Sequence, residues 1–154
     1  MNNKFMQRAI QLSIKSVNSG TGPFGATIVK DNKIISEGFN IVTSSNDPTS
    51  HAEISAIRNA CKNLENFSLK GCELYTTCEP CPMCLSAIYW TRLNKIYYAN
   101  TRNDAHKIGF SDSLIYEELN KTIKERKILT HQMMREEALK AFELWDKKED
   151  KVKY

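Results

Sequence analysis

The sequence predicts an α/β protein in which a central β-sheet is sandwiched between helices. Segments with helical and strand-like patterning alternate in the order helix, two strands, helix, strand, helix, strand and helices, which is typical of such a layered fold. The 154 residues, of which 41% are hydrophobic and 26% charged, suit one globular domain. We therefore expect residues 1–154 to form a single domain.

A helix, a hairpin and a second helix make up the predicted N-terminal half. Residues 3–18 have apolar faces at helical spacing, and the strand-like runs 26–29 and 34–39 flank Asp31-Asn32, which supplies a tight turn. A polar loop, Thr43–Ser50, precedes a helix from about His51 to Leu64, with Thr49 or Ser50 as its N-cap. The apolar residues of these helices are Phe5, Ala9 and Leu12, then Met6, Ile10 and Val17, and finally Ala56, Ile57, Ala60, Cys61 and Leu64.

Two further strands are predicted at Cys72–Thr77 and Ile96–Ala99. Between them a helix is expected from Pro82 to about Thr91, because proline suits the first turn of a helix.

The C-terminal third begins with a Gly-containing stretch that ends at Asp112. It continues with a helix at about Ser113–Asn120 and a last strand at Lys127–Thr130. An amphipathic helix then ends the predicted fold, and its marker residues are Met134, Ala138, Ala141, Phe142 and Trp145.

The charge distribution favours solvated helix faces over a nucleic-acid-binding surface. The net charge is +4, and the basic runs Lys121–Lys127 and Lys147–Lys153 are interrupted by acids. No apolar run approaches the roughly 20 residues that cross a bilayer, and Met1–Lys15 lacks the apolar stretch of a signal peptide. We therefore expect a cytoplasmic protein that binds neither membrane nor nucleic acid.

The five cysteines include a cluster of three, Cys78, Cys81 and Cys84, which is too crowded for an ordinary disulfide framework. Cys81 and Cys84 are three positions apart at a predicted helix start, so both sulfurs can bind one ion, and the helix N-terminus favours their thiolates. His51, at the start of another helix, adds an imidazole. Two thiolates and one imidazole suit Zn²⁺ and leave one tetrahedral position for water.

Glu53 lies two residues after His51, within the segment His51-Ala52-Glu53. That spacing places its carboxylate next to a metal and not on it, where it can transfer protons. One alternative is a structural zinc site with Cys78 as fourth ligand, in a zinc-stabilised interaction module. Another is an iron–sulfur cluster, which would leave the His-x-Glu segment without a role.

The chain resembles the cytidine deaminase superfamily and, within it, the bacterial guanine deaminases. The superfamily motif is His-x-Glu followed by Pro-Cys-x-x-Cys, here His51–Glu53 and Pro80–Cys84. The resemblance also runs through Gly22–Ala26, Ser45–Thr49 and Gly109–Glu117. It implies a three-layer α/β/α sandwich with a mixed five-stranded sheet. It also implies a homodimer whose C-terminal segments, about 134–154, are exchanged between subunits.

The same resemblance implies hydrolysis of a small purine base, guanine, to xanthine and ammonia, with zinc as cofactor. Asn40 would hydrogen-bond the purine, and Asp112 would accept hydrogens from its N1–H or amino edge. The implied ring contacts are Phe24 and Trp90, and Tyr154 would belong to a closing C-terminal tail. Each residue also has a structural explanation: a turn for Asn40, a helix N-cap for Asp112, core packing for Phe24 and Trp90, and a loose terminus for Tyr154.

Other substrates share the same metal motif. Deamination of adenosine in tRNA would need basic residues to grip the backbone, and a closing tail would obstruct a large RNA. Cytosine and guanosine remain alternatives, because motif residues alone do not define the size of a pocket.

Overall fold

The structure, a computed structural model, describes residues 3–154 and contains a four-stranded sheet with seven α-helices and one short 3₁₀ helix in that range. Met1 and Asn2, the first residues of the segment considered as a signal peptide, lie outside the described residues. The strands are β1 (Gly25–Lys30), β2 (Lys33–Phe39), β3 (Glu73–Cys78) and β4 (Lys95–Asn100). The helices are α1 (Asn3–Asn18), α2 (Val42–Ser45), α3 (Ala52–Asn63), α4 (Pro82–Trp90), α5 (Arg102–Lys107), α6 (Ser113–Leu119), the 3₁₀ helix Ile123–Glu125 and α7 (Arg135–Lys147).

The sheet has the order β2-β1-β3-β4 and is mixed. β1 pairs antiparallel with β2 and β3, whereas β3 and β4 are parallel. Asp31 and Asn32 both have positive φ, 49° and 60°, the backbone of the two-residue turns that suit the twist of a hairpin. The predicted hairpin and the predicted α/β class are therefore confirmed.

Helices α1 and α3 cover opposite faces of the sheet. A Cβ on Gly25 would point at α1, 2.2 Å from the Ala9 carbonyl oxygen, and a Cβ on Gly38 would point at α3. Gly38 pairs with Ala26, so the two residues face the same side, and Ala26 faces away from its neighbour Gly25. Because successive residues of a strand face opposite sides of the sheet, α1 and α3 lie in different layers.

Each face of the sheet has its own apolar cluster. Phe5, Val29 and Tyr75 are buried together on the α1 side. The larger cluster packs against α3 and α4 and comprises Ala26, Ile28, Ala52, Ala56, Ile57, Ala60, Leu69, Cys72, Leu74 and Ile88. Of the two predicted faces of α1, the one with Phe5, Ala9 and Leu12 is buried, while Ile10 and Val17 are exposed.

The predicted fifth strand is absent from the described residues. Lys127–Thr130 is irregular, and Ile128 and Leu129 are more than 80% exposed. A strand needs a neighbour with which to exchange backbone hydrogen bonds, and the segment Ser113–Tyr154 contains no other strand.

Three local features differ from the sequence-based expectations. Helix α5 lies in the Gly-containing stretch before Asp112, where no helix was predicted, and Thr101 and Asp104 form a capping box at its start. The single-turn helix α2 overlaps the start of the predicted polar loop. The N-cap of α3 is His51 and not Thr49 or Ser50, whose hydroxyls hydrogen-bond Asp47 instead.

The chain divides into two compact units, one ending at Asp112 and the other comprising Ser113–Tyr154. The first unit contains the sheet and helices α1–α5. The second contains α6, the 3₁₀ helix and α7, and none of its residues is buried. No helix within residues 3–154 is both long and apolar enough to cross a membrane.

We predict that Gly38→Ala destabilises the fold by about 1–3 kcal/mol, because the new Cβ would lie 2.2 Å from the Ala52 carbonyl oxygen and 2.4 Å from the Ala56 nitrogen. Backbone atoms cannot rotate away, so α3 must move. Urea unfolding of both proteins measures the difference. Lys33→Ala is the control, because it changes an exposed side chain of the same strand and should alter the free energy of unfolding by less than about 0.5 kcal/mol. Equal stability of Gly38→Ala and wild type would contradict the prediction.

Candidate active site

The three predicted metal ligands come from the N-termini of two helices. His51 is the N-cap of α3 and Cys81 is the N-cap of α4, and both have extended backbones without a side-chain cap. Cys84 follows in the first turn of α4, after Pro82 at the first helical position. The side chains of both N-caps are therefore available to a metal.

The three ligand atoms have the spacing that zinc requires. His51 Nδ1 lies 3.6 Å from Cys81 Sγ and 3.5 Å from Cys84 Sγ, and all three atoms lie within 4.8 Å of one another. Tetrahedral coordination with ordinary Zn–N and Zn–S bonds predicts nitrogen–sulfur separations of about 3.6 Å. In residues 3–154 no other group of three such side chains is found. The donor set therefore fits a zinc ion with one position left for a non-protein ligand.

The surroundings favour a thiolate at Cys81. The Cys84 thiol hydrogen-bonds it and His51 lies beside it, which together lower the pKa of Cys81 to about 4 despite its burial. The same contact with Cys81, followed by burial, raises the pKa of Cys84. Each sulfur thus responds to the other, as expected for two thiols that share one charge. The positive ends of α3 and α4 also face the site and favour anionic sulfur.

Cys78 does not join this group. It ends β3, and its sulfur contacts the carbonyl oxygen of Thr101 at 3.7 Å. Burial, followed by the nearby carboxylates of Glu53, Glu79 and Asp112, raises the pKa of Cys78 to about 11, so a thiol is retained at neutral pH. A site with Cys78 as fourth protein ligand is therefore not what the structure forms.

Glu53 lies in the first turn of α3, is 5% exposed and borders the ligands. Its Oε2 is 3.5 Å from Cys84 Sγ, and its Oε1 accepts a hydrogen bond of 3.0 Å from the Thr76 hydroxyl. Burial raises the pKa of Glu53, while its own backbone N–H and the Thr76 hydroxyl oppose that shift. A carboxyl group so placed can both accept and donate a proton.

The loop that leads to His51 is organised by Asp47. One carboxylate oxygen accepts the backbone N–H and the hydroxyl of Thr49, at 2.8 and 2.7 Å, and the other accepts the Ser50 hydroxyl at 2.6 Å. Arg58 of α3 contacts the same carboxylate at 3.4 Å. The Ser50 and Thr49 hydrogen bonds hold the pKa of Asp47 well below its ordinary value of 3.8. The stabilisation is thus complete above that value and is lost only as the pH falls towards the depressed pKa.

Four of the five predicted substrate contacts belong to the first unit, and two of them, Asn40 and Phe24, lie on adjoining segments. Asn40 is 6% exposed, and its backbone N–H donates to the Phe24 carbonyl oxygen at 3.0 Å. The Phe24 ring is half-buried and meets Phe110 edge-to-face at 5.0 Å. Asp112 is half-buried, and its charge contributes to the raised pKa of Cys78.

The other two predicted contacts, Trp90 and Tyr154, are exposed. Trp90 ends α4, six residues after Cys84, which is roughly 9 Å along the helix axis, and it is 65% exposed. Tyr154 is the last residue of the second unit and is 71% exposed.

Sequence reasoning missed the residues that support the site. Thr76 orients Glu53, yet it occupies an ordinary position in a buried strand, and no local pattern distinguishes it. For Asp47 a signal did exist, since an Asp followed by Pro-Thr-Ser is typical of a turn closed by side-chain hydrogen bonds.

Comparison with known proteins adds an independent result. Residues 1–100 match the family of the cytidine and deoxycytidylate deaminase zinc-binding region. The guanine deaminase of Bacillus subtilis (strain 168) is 52% identical over 151 residues, 97% of each chain. An X-ray structure of guanine deaminase from Bacillus subtilis matches with a TM-score of 0.96 at 51% identity, covering 100% of this chain and 99% of that one.

More distant matches cover less of the chain. The tRNA-specific adenosine deaminase of Aquifex aeolicus (strain VF5) is 42% identical over 95 residues, 62% of this chain and 63% of its own. A solved guanine deaminase from Nitrosomonas europaea matches with a TM-score of 0.69 at 28% identity, covering 73% of this chain and 65% of that one.

We predict that Asp47→Asn weakens zinc binding by about tenfold, because the loop before His51 loses the charge that holds Thr49 and Ser50. Competition with a chromophoric chelator at neutral pH measures the affinity. Glu37→Gln is a matched control, since both carboxylate side chains are 36% exposed and paired with arginine, but Glu37 binds Arg8 on α1. Similar losses in both variants would show that Asp47 has no particular role in placing the ligand.

Proposed function

Because the chain belongs to the cytidine and deoxycytidylate deaminase family of zinc-binding proteins, we propose that it hydrolyses guanine to xanthine and ammonia. Guanine is proposed as the substrate because of the extent of the likeness to the guanine deaminase of Bacillus subtilis. That likeness covers 97% of the chain and so includes the second unit, Ser113–Tyr154. The Aquifex tRNA deaminase shares only 62% of the chain, about the length of the region that carries the metal residues.

His51, Cys81 and Cys84 would hold the metal. Zinc, when bound, supplies Lewis acidity that brings the pKa of a water to about 7. Glu53 takes the proton of the water that attacks C2, delivers one proton to ring nitrogen N3, and helps to protonate the departing amine. The C2–oxygen bond forms and the C2–nitrogen bond breaks, which gives xanthine and ammonia. The burial of Glu53 supports this role, because it raises the pKa of the carboxyl group above its ordinary value and so favours a form that can donate a proton.

Asn40 and Asp112 would bind complementary edges of the base. The Asn40 Oδ1 already accepts the Val42 N–H at 3.1 Å, which leaves its Nδ2 to donate to an acceptor such as guanine O6 or N7. Asp112, an acceptor when ionised, suits N1–H and the amino group. The edge-to-face pair of Phe24 and Phe110 offers an aromatic wall to a flat ring.

Trp90 and Tyr154 remain predicted substrate contacts that would be supplied at a subunit interface. We propose a homodimer in which the segment of about 134–154 closes over the partner's site. Two observations support the exchange. No residue of the second unit is buried, and its large apolar side chains are more than 70% exposed at Ile128, Leu129, Met133, Phe142 and Leu144. Apolar surface of that extent normally packs against another surface.

Two further properties belong to the same proposal. The substrate is a free base and not a nucleic acid, since the charged runs carry both signs. The five cysteines are all free thiols, which fits a cytoplasmic, reducing location.

We predict that the wild-type protein releases ammonia and xanthine from guanine, and that Glu53→Gln lowers kcat by at least about 100-fold, the usual contribution of a positioned acid–base group. Product chromatography with guanine, guanosine, cytosine, adenine and unmodified tRNA measures the specificity. The control is Glu73→Gln, at the start of β3 and away from Thr76, which bonds Glu53. This variant should retain wild-type rates. Turnover of tRNA or cytosine, with guanine inert, would overturn the proposed substrate.

If the C-terminal segments are exchanged between subunits, we predict that two inactive variants restore activity to each other in mixed dimers. Glu53→Gln lacks the proton carrier, and a chain truncated before Glu149 lacks the closing tail. Refolding the two together should form mixed dimers in which an intact core receives an intact tail, so up to about half of their sites regain activity. A chain whose tail closes its own site would give no recovery.

A further inference from the structure

A serine interrupts the apolar face by which α1 packs against the sheet. The buried residues of this helix are Phe5, Ala9, Leu12 and Ser16, and Ser16 is fully buried. A hydroxyl group buried without partners destabilises a protein, so its hydrogen bonds indicate what it does there.

The Ser16 hydroxyl reaches three oxygens outside its own helix. Its Oγ lies 2.6 Å from the Thr21 hydroxyl, 2.6 Å from the Gly22 carbonyl oxygen and 3.0 Å from the Asn40 carbonyl oxygen. Thr21 Oγ1 is also 2.7 Å from that Asn40 oxygen and 2.9 Å from the Ser16 carbonyl oxygen. Ser16 and Thr21 form a unit that we term the hydroxyl clamp.

Each hydroxyl of the clamp carries one proton, so the two protons are shared among more acceptors than they can serve at once. Either Ser16 or Thr21 can donate to the Asn40 carbonyl oxygen. Removal of one hydroxyl therefore leaves that oxygen with a donor, whereas removal of both leaves a buried carbonyl unpaired.

The clamp completes the fixation of Asn40. The Asn40 N–H is bound to the Phe24 carbonyl oxygen, its carbonyl oxygen to the clamp, and its Oδ1 to the Val42 N–H. Among the described residues, none accepts a hydrogen bond from Nδ2. Every other polar group of Asn40 is held, and its amide nitrogen is presented in one orientation.

We infer that Ser16 and Thr21 are positioning residues that orient Asn40 for recognition of the base, an inference that rests on the proposed function. The clamp touches neither the metal ligands nor Glu53. Its loss therefore weakens the binding of the base without slowing proton transfer, so KM rises while kcat is retained.

The test compares Ser16→Ala, Thr21→Val and the double variant, with guanine as substrate and with metal content measured for each protein. Each single variant should raise KM by no more than about threefold, because the other hydroxyl still donates. The double variant should raise KM by about 10- to 100-fold, as expected for a buried carbonyl left unpaired, with kcat within about threefold of wild type. Ser16→Ala/Thr21→Ser restores one hydroxyl and should behave like Ser16→Ala alone.

One background and one control variant distinguish the positioning of Asn40 from an effect on general stability. In Asn40→Ala, deletion of both hydroxyls should cause no further rise in KM, because they act through the Asn40 side chain. Ser36→Ala removes another buried hydroxyl, which bonds the Ala56 carbonyl oxygen at 2.7 Å on the opposite face of the sheet, and it should leave KM unchanged. An equal rise in KM in Ser36→Ala, or a full effect in Asn40→Ala, would overturn the inference.

A readout without turnover separates this inference from the proposed function. The Val42 amide donates to Asn40 Oδ1, so its hydrogen exchange, measured by NMR, should accelerate at least about tenfold in the double variant and not in Ser36→Ala. Unchanged exchange, together with unchanged KM for guanine, would refute the clamp alone. A wild-type protein inert towards guanine would refute the proposed function, and the exchange rates would still decide whether the clamp orients Asn40.

Discussion

The site depends on the convergence of two helix N-termini. His51 is 30 residues away from Cys81 in sequence, yet their ligand atoms lie 3.6 Å apart, which requires α3 and α4 to begin at the same edge of the sheet. Close packing makes this possible, because Gly38 lets the backbone of β2 approach α3 without an intervening side chain. The same convergence directs two positive helix ends at the metal position and buries Glu53 beside it.

Local patterns in the sequence were sufficient to predict most of the framework. The spacing in α1, the Asp31-Asn32 turn and Pro82 in the first turn of α4 each reflect short-range physics, and the structure contains all three features as expected. The approach of His51 to Cys81 and Cys84 followed from the chemistry of the donor set. These features are predictable because each depends on residues adjacent in sequence or on a defined metal geometry.

Other features depend on contacts that a sequence does not display. Thr76 bonds Glu53 only because β3 passes beneath α3, and Ser16 reaches Asn40 only because the chain returns beside the end of α1. The N-cap of α3 was mispredicted because Asp47 competes for the hydroxyls of Thr49 and Ser50. The strand expected at Lys127–Thr130 needs a pairing edge that its own unit does not offer. In each case a tertiary partner overrides the local preference.

The opposite placement of α1 and α3 separates two tasks between the layers of the sandwich. The residues proposed to hold the metal and to carry protons belong to α3 and α4, whereas the backbone of Asn40 is hydrogen-bonded to α1 and the chain that follows it. A substitution in α1 or in the chain that follows it can thus alter which molecule is recognised without disturbing the metal-binding residues. Such independence allows one catalytic framework to diversify across relatives that act on free bases and on transfer RNA.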